Sequence, residues 1–392
     1  MISFIIPSYN NLKHLKNVYA SIRKNAPTAK MMFLDDGSTD GTYEWLMSLP
    51  KDNLYHPYRS EERVGHTILY DKGISLVEDD IVGILHADMI IGPNFVENMV
   101  KHLKPLTVVC ATRIEPPLHP EGKEKIIKDF GMDFDTLNVP AFEQFVVEKQ
   151  VEYKDVVTKG MFAPWIIYKE DFQAIGGHDP LFAPFPYEDS DIFQRWMLNG
   201  YELVQSRDAF VYHLTCRGHR WNEQVGKDDE YYKTVSQRAA RNYIRKWGSW
   251  IKNDEFQCPI VPHKYNVAFV VRNCNLQALE VLEPWCDRIY IEDEMDVIKH
   301  AYFEKEQSNT SYELTKRVMT IGWNDPLGEN DVVLEFDMKN FTQESFHIIQ
   351  NLADILTDSG NPNGVFTLDC FRVTTCSLHS FERELIICNT TY

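Results

Sequence analysis

A histidine and an aspartate stand two residues apart directly after a short apolar run, a pattern that can hold a metal ion. The run covers residues 82–85, His86 and Asp88 follow it, and a Gly-Pro pair at 92–93 ends any extended structure. In an extended chain, residues two apart point the same way. One imidazole and one carboxylate on one side could hold a divalent cation, and the cation could hold a diphosphate. The alternative is an aspartate that only caps the next helix.

Short apolar runs alternate with stretches of helical spacing, which predicts an α/β protein with a mostly parallel sheet. Runs at 2–6 and 31–34 alternate with predicted helices at 12–22 and 43–48. Asp36 follows the second run, as the His-x-Asp pair follows a later one. Ligands bind at the carboxyl ends of the strands in open α/β sheets, so we expect these carboxylates to meet at one edge.

Two domains are predicted, one over residues 1–250 and a second, smaller α/β domain over residues 263–392. The stretch 248–262 has the composition of a boundary, and the alternation of strands and helices resumes after it. Between residues 113 and 153 the periodic pattern weakens, and prolines and charges there predict an excursion loop.

The composition limits the partners and the compartment. The chain has 392 residues, of which 44% are hydrophobic, with a formal net charge of -18 and a pI near 5.2. This acidity argues against non-specific binding of nucleic acid, although it leaves a local basic groove open. Eight cysteines without a Cys-x-x-Cys pair favour a reducing compartment. No segment approaches the roughly 20 apolar residues of a membrane helix, so we expect a cytoplasmic protein without a signal peptide.

Five short segments follow one another in a recognisable order. They are Ile-Ile-Pro-Ser-Tyr-Asn at 5–10, Leu-Asp-Asp-Gly-Ser-Thr-Asp at 34–40, His-Ala-Asp at 86–88, Gly-Gly-His-Asp at 176–179 and Glu-Asp-Ser-Asp at 188–191. In this order they resemble the inverting nucleotide-sugar glycosyltransferases of the GT-A fold, family 2 type. The resemblance implies a Rossmann-like catalytic first domain and leaves the second domain as an accessory one. The build also resembles phage or viral members, for which the location would be the host cytoplasm.

The resemblance implies a site for a nucleoside-diphosphate sugar, with UDP as the expected nucleotide. Tyr9 offers a flat face and a polar tip. Asp36 matches a carboxylate that accepts a hydrogen bond from a uracil-type base, and Arg63 or Lys72 could neutralise phosphate. For Lys72 the alternative is a solvated helix face, and the basic loop containing Arg217 could be a lid or a plain surface loop. The implied donor-side residues are Pro7, Tyr9, Asn10, Asp36, Arg63, Asp71, Lys72, His86, Ala87 and Arg217.

A divalent cation, Mn²⁺ or Mg²⁺, is also implied, and it would offset charge on the departing nucleoside diphosphate. Asp88 matches the second acid of the family's Asp-x-Asp triplet, whereas His86 stands where the first acid is usual. That departure favours Mn²⁺, because Mg²⁺ prefers oxygen ligands, or it leaves His86 to hydrogen-bond the ribose or diphosphate. His213 matches a histidine that completes the metal site in many relatives, with an ordinary strand-end histidine as the alternative. His219 is a weaker candidate.

Asp189 is the predicted general base, because inverting transfer needs a carboxylate of raised pKa near the acceptor hydroxyl. The proline and aromatic residues just before it could supply the desolvation. Asp191 could orient an acceptor hydroxyl or act as base itself, and Glu188 could do the same or cap the helix. Asp179 and Trp165 would line the acceptor side, with core packing as the alternative for Trp165.

The sugar, the acceptor and the oligomeric state stay open at this point. The expected acceptor is a hydroxyl of a glycan or a similar molecule, and the alternative is a hydroxymethylated base of phage DNA. A nucleotidyltransferase would need a basic Gly-rich phosphate loop near the N-terminus, which the sequence lacks. A carbohydrate-binding protein without activity is a third hypothesis, which stays open because His86 replaces the usual first acid. The second domain could bind the acceptor, mediate oligomer contacts or stabilise the first domain.

Overall fold

The computed structural model describes residues 1–215, 221–222, 227–292, 296–321 and 330–376. Within these ranges the chain forms two compact units. The first comprises residues 1–235 with 253–260, and the second comprises residues 236–252 with 261–376. Each unit is built on its own sheet, and the predicted second, smaller α/β domain is confirmed.

The first unit contains a ten-stranded mixed sheet in which the strands nearest the N-terminus are parallel. Its strands are β1 (Ile2–Ser8), β2 (Lys30–Asp35), β3 (Tyr58–Arg59), β4 (Ile81–Ile84), β5 (Met89–Ile91), β6 (Thr107–Glu115), β7 (Lys125–Ile127), β8 (Val157–Thr158), β9 (Trp165–Tyr168) and β10 (Glu202–His213). The order is β3-β2-β1-β4-β9-β6-β10-β5, with β7 beside β6 and β8 beside β10. Strand β6 is parallel to β7 and β10, while β5, β8 and β9 run antiparallel to their neighbours.

The helices pack on both faces of this sheet. They are α1 (Leu12–Asn25), α2 (Thr42–Ser48), α3 (His66–Leu76), α4 (Phe95–Val100), α5 (Val139–Glu152), α6 (Lys169–Ala174) and α7 (Glu188–Leu198). A two-stranded ribbon, β11 (Trp221–Asn222) and β12 (Lys227–Asp228), precedes α8 (Glu230–Trp247). Among the helices of the described ranges, none combines the length and apolar content that crossing a bilayer requires.

Strand β1 is buried on both of its faces, as expected for a mostly apolar strand covered by helices on either side. Phe4 and Ile6 pack in one core with residues of α1 and α4, while Ile5 packs in the opposite core with residues of α3. This alternation follows the two-residue period of a strand. The two cores fix the carboxyl end of β1, where Pro7 and Ser8 lie.

The loop predicted between residues 113 and 153 is much shorter than expected, because only residues 116–124 form a continuous irregular stretch between strands. Residues 113–153 also contain the end of β6, the strand β7 and the four-turn helix α5. Asn138 caps α5 by accepting a hydrogen bond from the backbone N–H of Ala141 at 3.1 Å. The helix was missed because it buries only Phe142 and Val146 while two of its valines face solvent, so its apolar stripe is blurred.

The second unit has a six-stranded sheet of order β15-β14-β13-β16-β18-β17. Its strands are β13 (Val267–Arg272), β14 (Arg288–Ile291), β15 (Val318–Thr320), β16 (Val332–Asp337), β17 (Gly364–Leu368) and β18 (Phe371–Thr375). Its helices are α9 (Leu276–Leu282), α10 (Asp296–Glu306), α11 (Leu314–Arg317), α12 (Gln343–Gln350) and α13 (Leu352–Asp358). The four strands β13 to β16 are parallel, and β18 is antiparallel to both β16 and β17.

A buried cluster of charges lies inside the second unit. The Glu283 carboxylate is fully buried and accepts hydrogen bonds from Arg245 at 2.7 Å, from the Tyr302 hydroxyl at 2.7 Å and from Arg317. Burial raises the pKa of Glu283, but Arg317 and Arg245 outweigh it and hold that pKa at about 2. Two buried guanidinium groups therefore share the Glu283 carboxylate, and Arg245 also contacts Glu306 at 2.5 Å.

We expect the Glu283→Gln substitution to lower the free energy of unfolding of the second unit by about 3–5 kcal/mol, because it leaves the buried Arg317 without a counter-charge and leaves Arg245 with Glu306 alone. Denaturant unfolding measures this change. The matched control is Glu335→Gln, whose partner Arg372 is largely exposed. That control should change stability by less than about 1 kcal/mol. Equal losses of unfolding free energy in the two variants would contradict the role given to Glu283 as a buried counter-charge.

Candidate functional site

A cavity of about 730 Å³ lies at the carboxyl edge of the first unit's sheet. The ends of β1, β2, β4 and β6, or the residues just after them, all contribute to its wall. This is the edge at which ligands bind in open α/β sheets. The sequence-predicted residues that line it are Pro7, Tyr9, Asp36, Arg63, His86, Ala87, Asp88, Asp189 and His213.

Two histidines and an aspartate converge in the wall. The nitrogen and oxygen atoms of His86, Asp88 and His213 that could bind a metal all lie within 4.8 Å of one another. Nε2 of His213 is 3.7 Å from Oδ1 of Asp88. A set of two imidazoles and one carboxylate suits Mn²⁺ or another transition metal better than Mg²⁺. These residues therefore fit a divalent cation of that class.

Strand pairing brings His213 to Asp88 across 125 positions of sequence. The chain leaves β4, turns at residues 86–88 and continues as β5, which pairs antiparallel with the end of β10. In this register His213 stands opposite Met89, and the backbone N–H of Leu214 donates to the carbonyl of Asp88 at 3.2 Å. The metal-type cluster thus depends on the register of two strands.

Glu115, at the end of β6, stands behind His213. Its Oε1 lies 3.1 Å from Nδ1 of His213 and 2.9 Å from Nη1 of Arg113, and its Oε2 lies 3.1 Å from Nζ of Lys125. Burial raises the pKa of Glu115, but His213, Arg113 and Lys125 outweigh it and hold that pKa well below its usual range. A usable signal for Glu115 was present in the sequence, since it lies at the end of an apolar strand and Asp36 and Asp88 follow such strands.

Asp36 fastens the loop that follows β3. Its Oδ1 accepts hydrogen bonds from the backbone N–H of Val64 at 2.8 Å and the hydroxyl of Ser60 at 3.1 Å. Its Oδ2 accepts a hydrogen bond from the backbone N–H of Gly65 at 3.0 Å. Burial raises the pKa of Asp36, and these donors only partly offset that rise. The carboxylate therefore organises one wall of the cavity.

Arg63 belongs to an aromatic group beside Asp36. The centre of its guanidinium lies 4.0 Å from the ring centroid of Tyr9, 5.0 Å from that of Tyr231 and 5.7 Å from that of Phe185. Its Nε lies 4.0 Å from Oδ2 of Asp36. Cation–π contact with three rings and one nearby carboxylate hold this side chain at the cavity wall.

The predicted base lies at the first turn of α7. Nε2 of His66 is 2.7 Å from Oε1 of Glu188, and Asp189 is the next residue in the sequence. Burial lowers the pKa of His66, but Glu188 more than offsets this, so the pKa lies above its ordinary value. Burial, together with the neighbouring charge of Glu188, raises the pKa of Asp189 to about 6. Asp189 is thus an anion at neutral pH and basic enough to accept a proton.

A close backbone contact joins the two loops of this region. Gly65 has a φ of +86°, and a Cβ there would lie 2.2 Å from Cβ of Pro184. The hydroxyl of Thr67 donates to the carbonyl of Pro184 at 3.0 Å. Since the amide of Gly65 also binds Asp36, one glycine links the Asp36 wall to the segment before Asp189.

Tyr70 stands between the two groups of titratable residues. Its ring centroid lies 5.4 Å from that of His66 and 6.4 Å from that of His86. Burial, and then the charges of Glu188, Asp189 and Asp88, raise the pKa of Tyr70 well above its ordinary value. It is a neutral phenol at neutral pH, and the sequence analysis did not single it out.

Part of this site lies within a stretch that matches a known protein family. Residues 3–150, which carry Pro7, Asp36 and Asp88, match the model of glycosyl transferase family 2. This part of the chain is similar to family 2 glycosyltransferases. The predicted family and the GT-A class of fold are confirmed.

Three known proteins are similar to parts of this chain. The glycosyltransferase GlyG of Streptococcus pneumoniae serotype 4 (strain ATCC BAA-334 / TIGR4) is 26% identical over 106 residues, which span 26% of this chain and 35% of that protein. The mannosyltransferase PcManGT from Pyrobaculum calidifontis, solved with GDP-Man and Mn²⁺, aligns at 18% identity and a TM-score of 0.41, covering 62% of this chain and 63% of the other. The S. aureus TarS segment 1–349, solved with UDP-GlcNAc, aligns at 14% identity and a TM-score of 0.40, covering 62% and 66%.

Two acidic residues predicted for the site of the glycosyltransferase domain lie in its interior instead. The Asp191 carboxylate pairs with Nε of Arg195 at 2.8 Å, and both side chains are fully buried. Asp71 accepts hydrogen bonds from Nδ1 of His178 at 2.6 Å and from the backbone N–H of His178 at 3.0 Å. These pairs hold α7 and α3 to the Gly-Gly-His turn at 176–178, because Arg195 also donates to the carbonyl of Gly177 at 2.6 Å. Both carboxylates therefore make structural contacts inside the domain.

Four further predicted residues of the domain also lie outside the cavity wall. Trp165 is buried and packs edge-to-face on Trp196 at 5.1 Å, as the core alternative expects. Asp179 caps the short 3₁₀ helix Pro180–Phe182. Asn10 joins the loops after β1 and β2, because its side chain accepts a hydrogen bond from the backbone N–H of Thr39. The Nζ atom of Lys72 lies 5.6 Å from the ring centroid of Tyr58. Arg217, the predicted lid residue, and His219 lie outside the described residues.

We expect Asp71→Leu to lower the free energy of unfolding by about 1–3 kcal/mol, because it removes the acceptor of two hydrogen bonds from the buried His178. Lys72→Leu makes the same replacement at the next residue and should change stability by about 0.5 kcal/mol or less. Denaturant unfolding of both variants measures the difference. An unchanged Asp71→Leu protein that loses only nucleotide binding would restore the original donor-site prediction.

Proposed function

We propose that the protein is a metal-dependent, inverting glycosyltransferase that moves a sugar from a nucleoside diphosphate to a hydroxyl of an acceptor glycan. One observation carries this proposal: the cation-type cluster of His86, Asp88 and His213 lines the same cavity as the raised-pKa carboxylate Asp189. A cation there could stabilise the departing diphosphate, and the base could deprotonate the acceptor hydroxyl, which together would support single displacement at a sugar carbon. The catalytic role falls to the first unit and an accessory role to residues 263–392.

The donor side comprises the residues after β1 and β2. Pro7, Tyr9, Asp36 and Arg63 line the cavity and would hold the base and ribose, with UDP as the proposed nucleotide. Asp36 accepts three hydrogen bonds from the loop after β3, and a carboxylate has about four acceptor positions, so one would remain for an N–H of a uracil-type base. The aromatic group around Arg63 would shield this end from water.

The metal role belongs to Asp88 and His213, with His86 as the third ligand. A bound Mn²⁺ would offset the negative charge that builds on the departing diphosphate. Tyr70 covers His86 on the side that faces His66, which limits the positions available to its ring. Ala87, between the two ligands, lines the cavity with its small side chain and leaves room for phosphate oxygens.

Asp189 would act as the general base. Its carboxylate takes the proton of the acceptor hydroxyl while that oxygen bonds to the anomeric carbon, and the bond from this carbon to the diphosphate oxygen breaks on the opposite face. This exchange inverts the configuration at the carbon. Glu188, held by His66, stays anionic and keeps Asp189 basic through charge repulsion.

A glycan acceptor is favoured over DNA by the charges of the cavity. Each arginine and lysine in its described lining is already in contact with a carboxylate or an aromatic ring: Arg63 with Tyr9, and Arg113 and Lys125 with Glu115. Glu121, Glu124 and Glu255 add negative charge to the wall. A polyanion would be repelled there, whereas sugar hydroxyls can donate to carboxylates. Transfer to hydroxymethylated DNA in preference to neutral sugars would reverse this choice.

Donor binding can be tested by thermal stability. We expect UDP or a UDP-sugar to raise the melting temperature more with Mn²⁺ than without it, since about 100 Kd of ligand stabilises the folded state by about 2.7 kcal/mol. Asp88→Asn should abolish the Mn²⁺-dependent part. Glu97→Gln changes an exposed carboxylate outside the cavity and should keep it. A Mn²⁺-dependent shift that survives Asp88→Asn would refute the metal assignment, and a larger shift with GDP would correct the nucleotide.

Catalysis can be tested through its pH dependence. We expect Asp189→Asn to lower the rate of sugar transfer by about 10²–10⁴-fold with little change in donor affinity. Because protonated Asp189 cannot accept a proton, kcat/KM of the wild type should fall as the pH drops below about 6. Glu188→Gln removes a negative charge that raises the pKa of Asp189, so this fall should move to lower pH. An unchanged profile in Glu188→Gln, or near-normal transfer by Asp189→Asn, would place the base elsewhere.

A further inference from the structure

The geometry points to Glu115 as a positioning residue that holds His213 as the Nδ1–H tautomer and thereby directs the Nε2 lone pair toward Asp88. This inference rests on the proposed metal role of His213. It adds a residue whose side chain acts through the imidazole rather than on the cation. It also makes His213 a ligand through one defined nitrogen.

The distances assign opposite tasks to the two ring nitrogens of His213. Nδ1 lies 3.1 Å from Oε1 of Glu115, within hydrogen-bond reach, and Nε2 lies 3.7 Å from Oδ1 of Asp88. An ionised carboxylate can only accept hydrogen bonds, so Nδ1 must carry the hydrogen. In a neutral imidazole Nε2 then has the lone pair, which is the form that binds a metal. Metal-binding histidines commonly donate their other N–H to a carboxylate in this way.

The surroundings keep Glu115 ionised and fixed. Its side chain is 1% exposed, and Arg113 and Lys125 contact its two oxygens at 2.9 Å and 3.1 Å. Because these cations already balance the carboxylate, Glu115 can serve as a hydrogen-bond acceptor without requiring an imidazolium as counter-ion. Strand β6 is parallel to β10, and Ile114 of β6 pairs with Tyr212 of β10. The next residues on the two strands, Glu115 and His213, therefore lie side by side at the strand ends.

Removing Glu115 alone would leave Lys125 without its partner, so the test uses a balanced pair of changes. Glu115→Met combined with Lys125→Met removes one charge of each sign, and Arg113 keeps Glu124 at 3.6 Å. Lys125→Met alone is the matched control, since it retains Glu115 and its contact with His213. Circular dichroism and melting temperature show whether each variant is folded.

The first readout needs no metal. In histidine-labelled protein at pH 8, ¹H–¹⁵N NMR should show His213 as the Nδ1–H tautomer in the wild type and in Lys125→Met. The Nε2–H form should become the main one in Glu115→Met/Lys125→Met. A wild-type His213 that carries its hydrogen on Nε2, or an unchanged tautomer in the double variant, would overturn the inference.

The second readout is the affinity for Mn²⁺ alone, which is measured from the electron paramagnetic resonance signal of the unbound ion. We expect Glu115→Met/Lys125→Met to bind Mn²⁺ about 10–100-fold more weakly than Lys125→Met. In a His213→Ala background the same change should have no further effect, because Glu115 acts through that ring. A wild type that binds no Mn²⁺ would refute the proposed metal role, while the NMR result would still decide the role of Glu115.

Discussion

The antiparallel pairing of β5 with the end of β10 is the contact on which the site depends. It joins a three-residue strand that follows Asp88 to the strand that ends in His213, and it does so at the edge where β1, β2, β4 and β6 also end. Because side chains alternate along a strand, a shift of one residue in this register would turn His213 to the opposite face. The position of the proposed metal ligand His213 is thus set by backbone hydrogen bonds and by the cores on both faces of the sheet.

The acidic end of the cavity is positioned by a different means. Asp189 stands at the first turn of α7, and Gly65 lets the loop bound by Asp36 approach the backbone of Pro184 closely. Inside the domain, Arg195 ties Asp191 of the same helix to the turn at Gly177. Strand register therefore orders one half of the site, while helix packing and a loop contact order the other. The proposed sugar transfer would use both halves, since the cation cluster lies in one and the proposed base in the other.

The sequence could predict the α/β fold and those site residues that end strands. Pro7, Asp36, Asp88 and His213 follow apolar runs, and strand ends meet at one edge whatever the details of packing. The family match confirms the class of protein, while the role of each residue stays a prediction. Glu115 followed the same rule but was missed, because the weak pattern after residue 113 was taken for a loop.

The sequence could not show which polar residues line the cavity and which lie in the protein interior. Asp71 and Asp191 lie on helices, where a rotation of about 100° per residue decides between cavity and interior. Their buried partners His178 and Arg195 are 107 and 4 positions away. The distant partner cannot be identified from one chain, and the near one is equally compatible with a surface pair. Trp165 presented the same ambiguity, since a large aromatic residue suits either a sugar or a core.

The ring of Tyr70 has a consequence for altering this domain. It contacts His66, which holds Glu188 beside the proposed base, and His86, which belongs to the proposed cation cluster. A replacement at residue 86 intended to change ion preference would also change the packing on this shared ring. Redesign of one end of the cavity will therefore disturb the other, and residues 66, 70 and 86 should be varied together as one set.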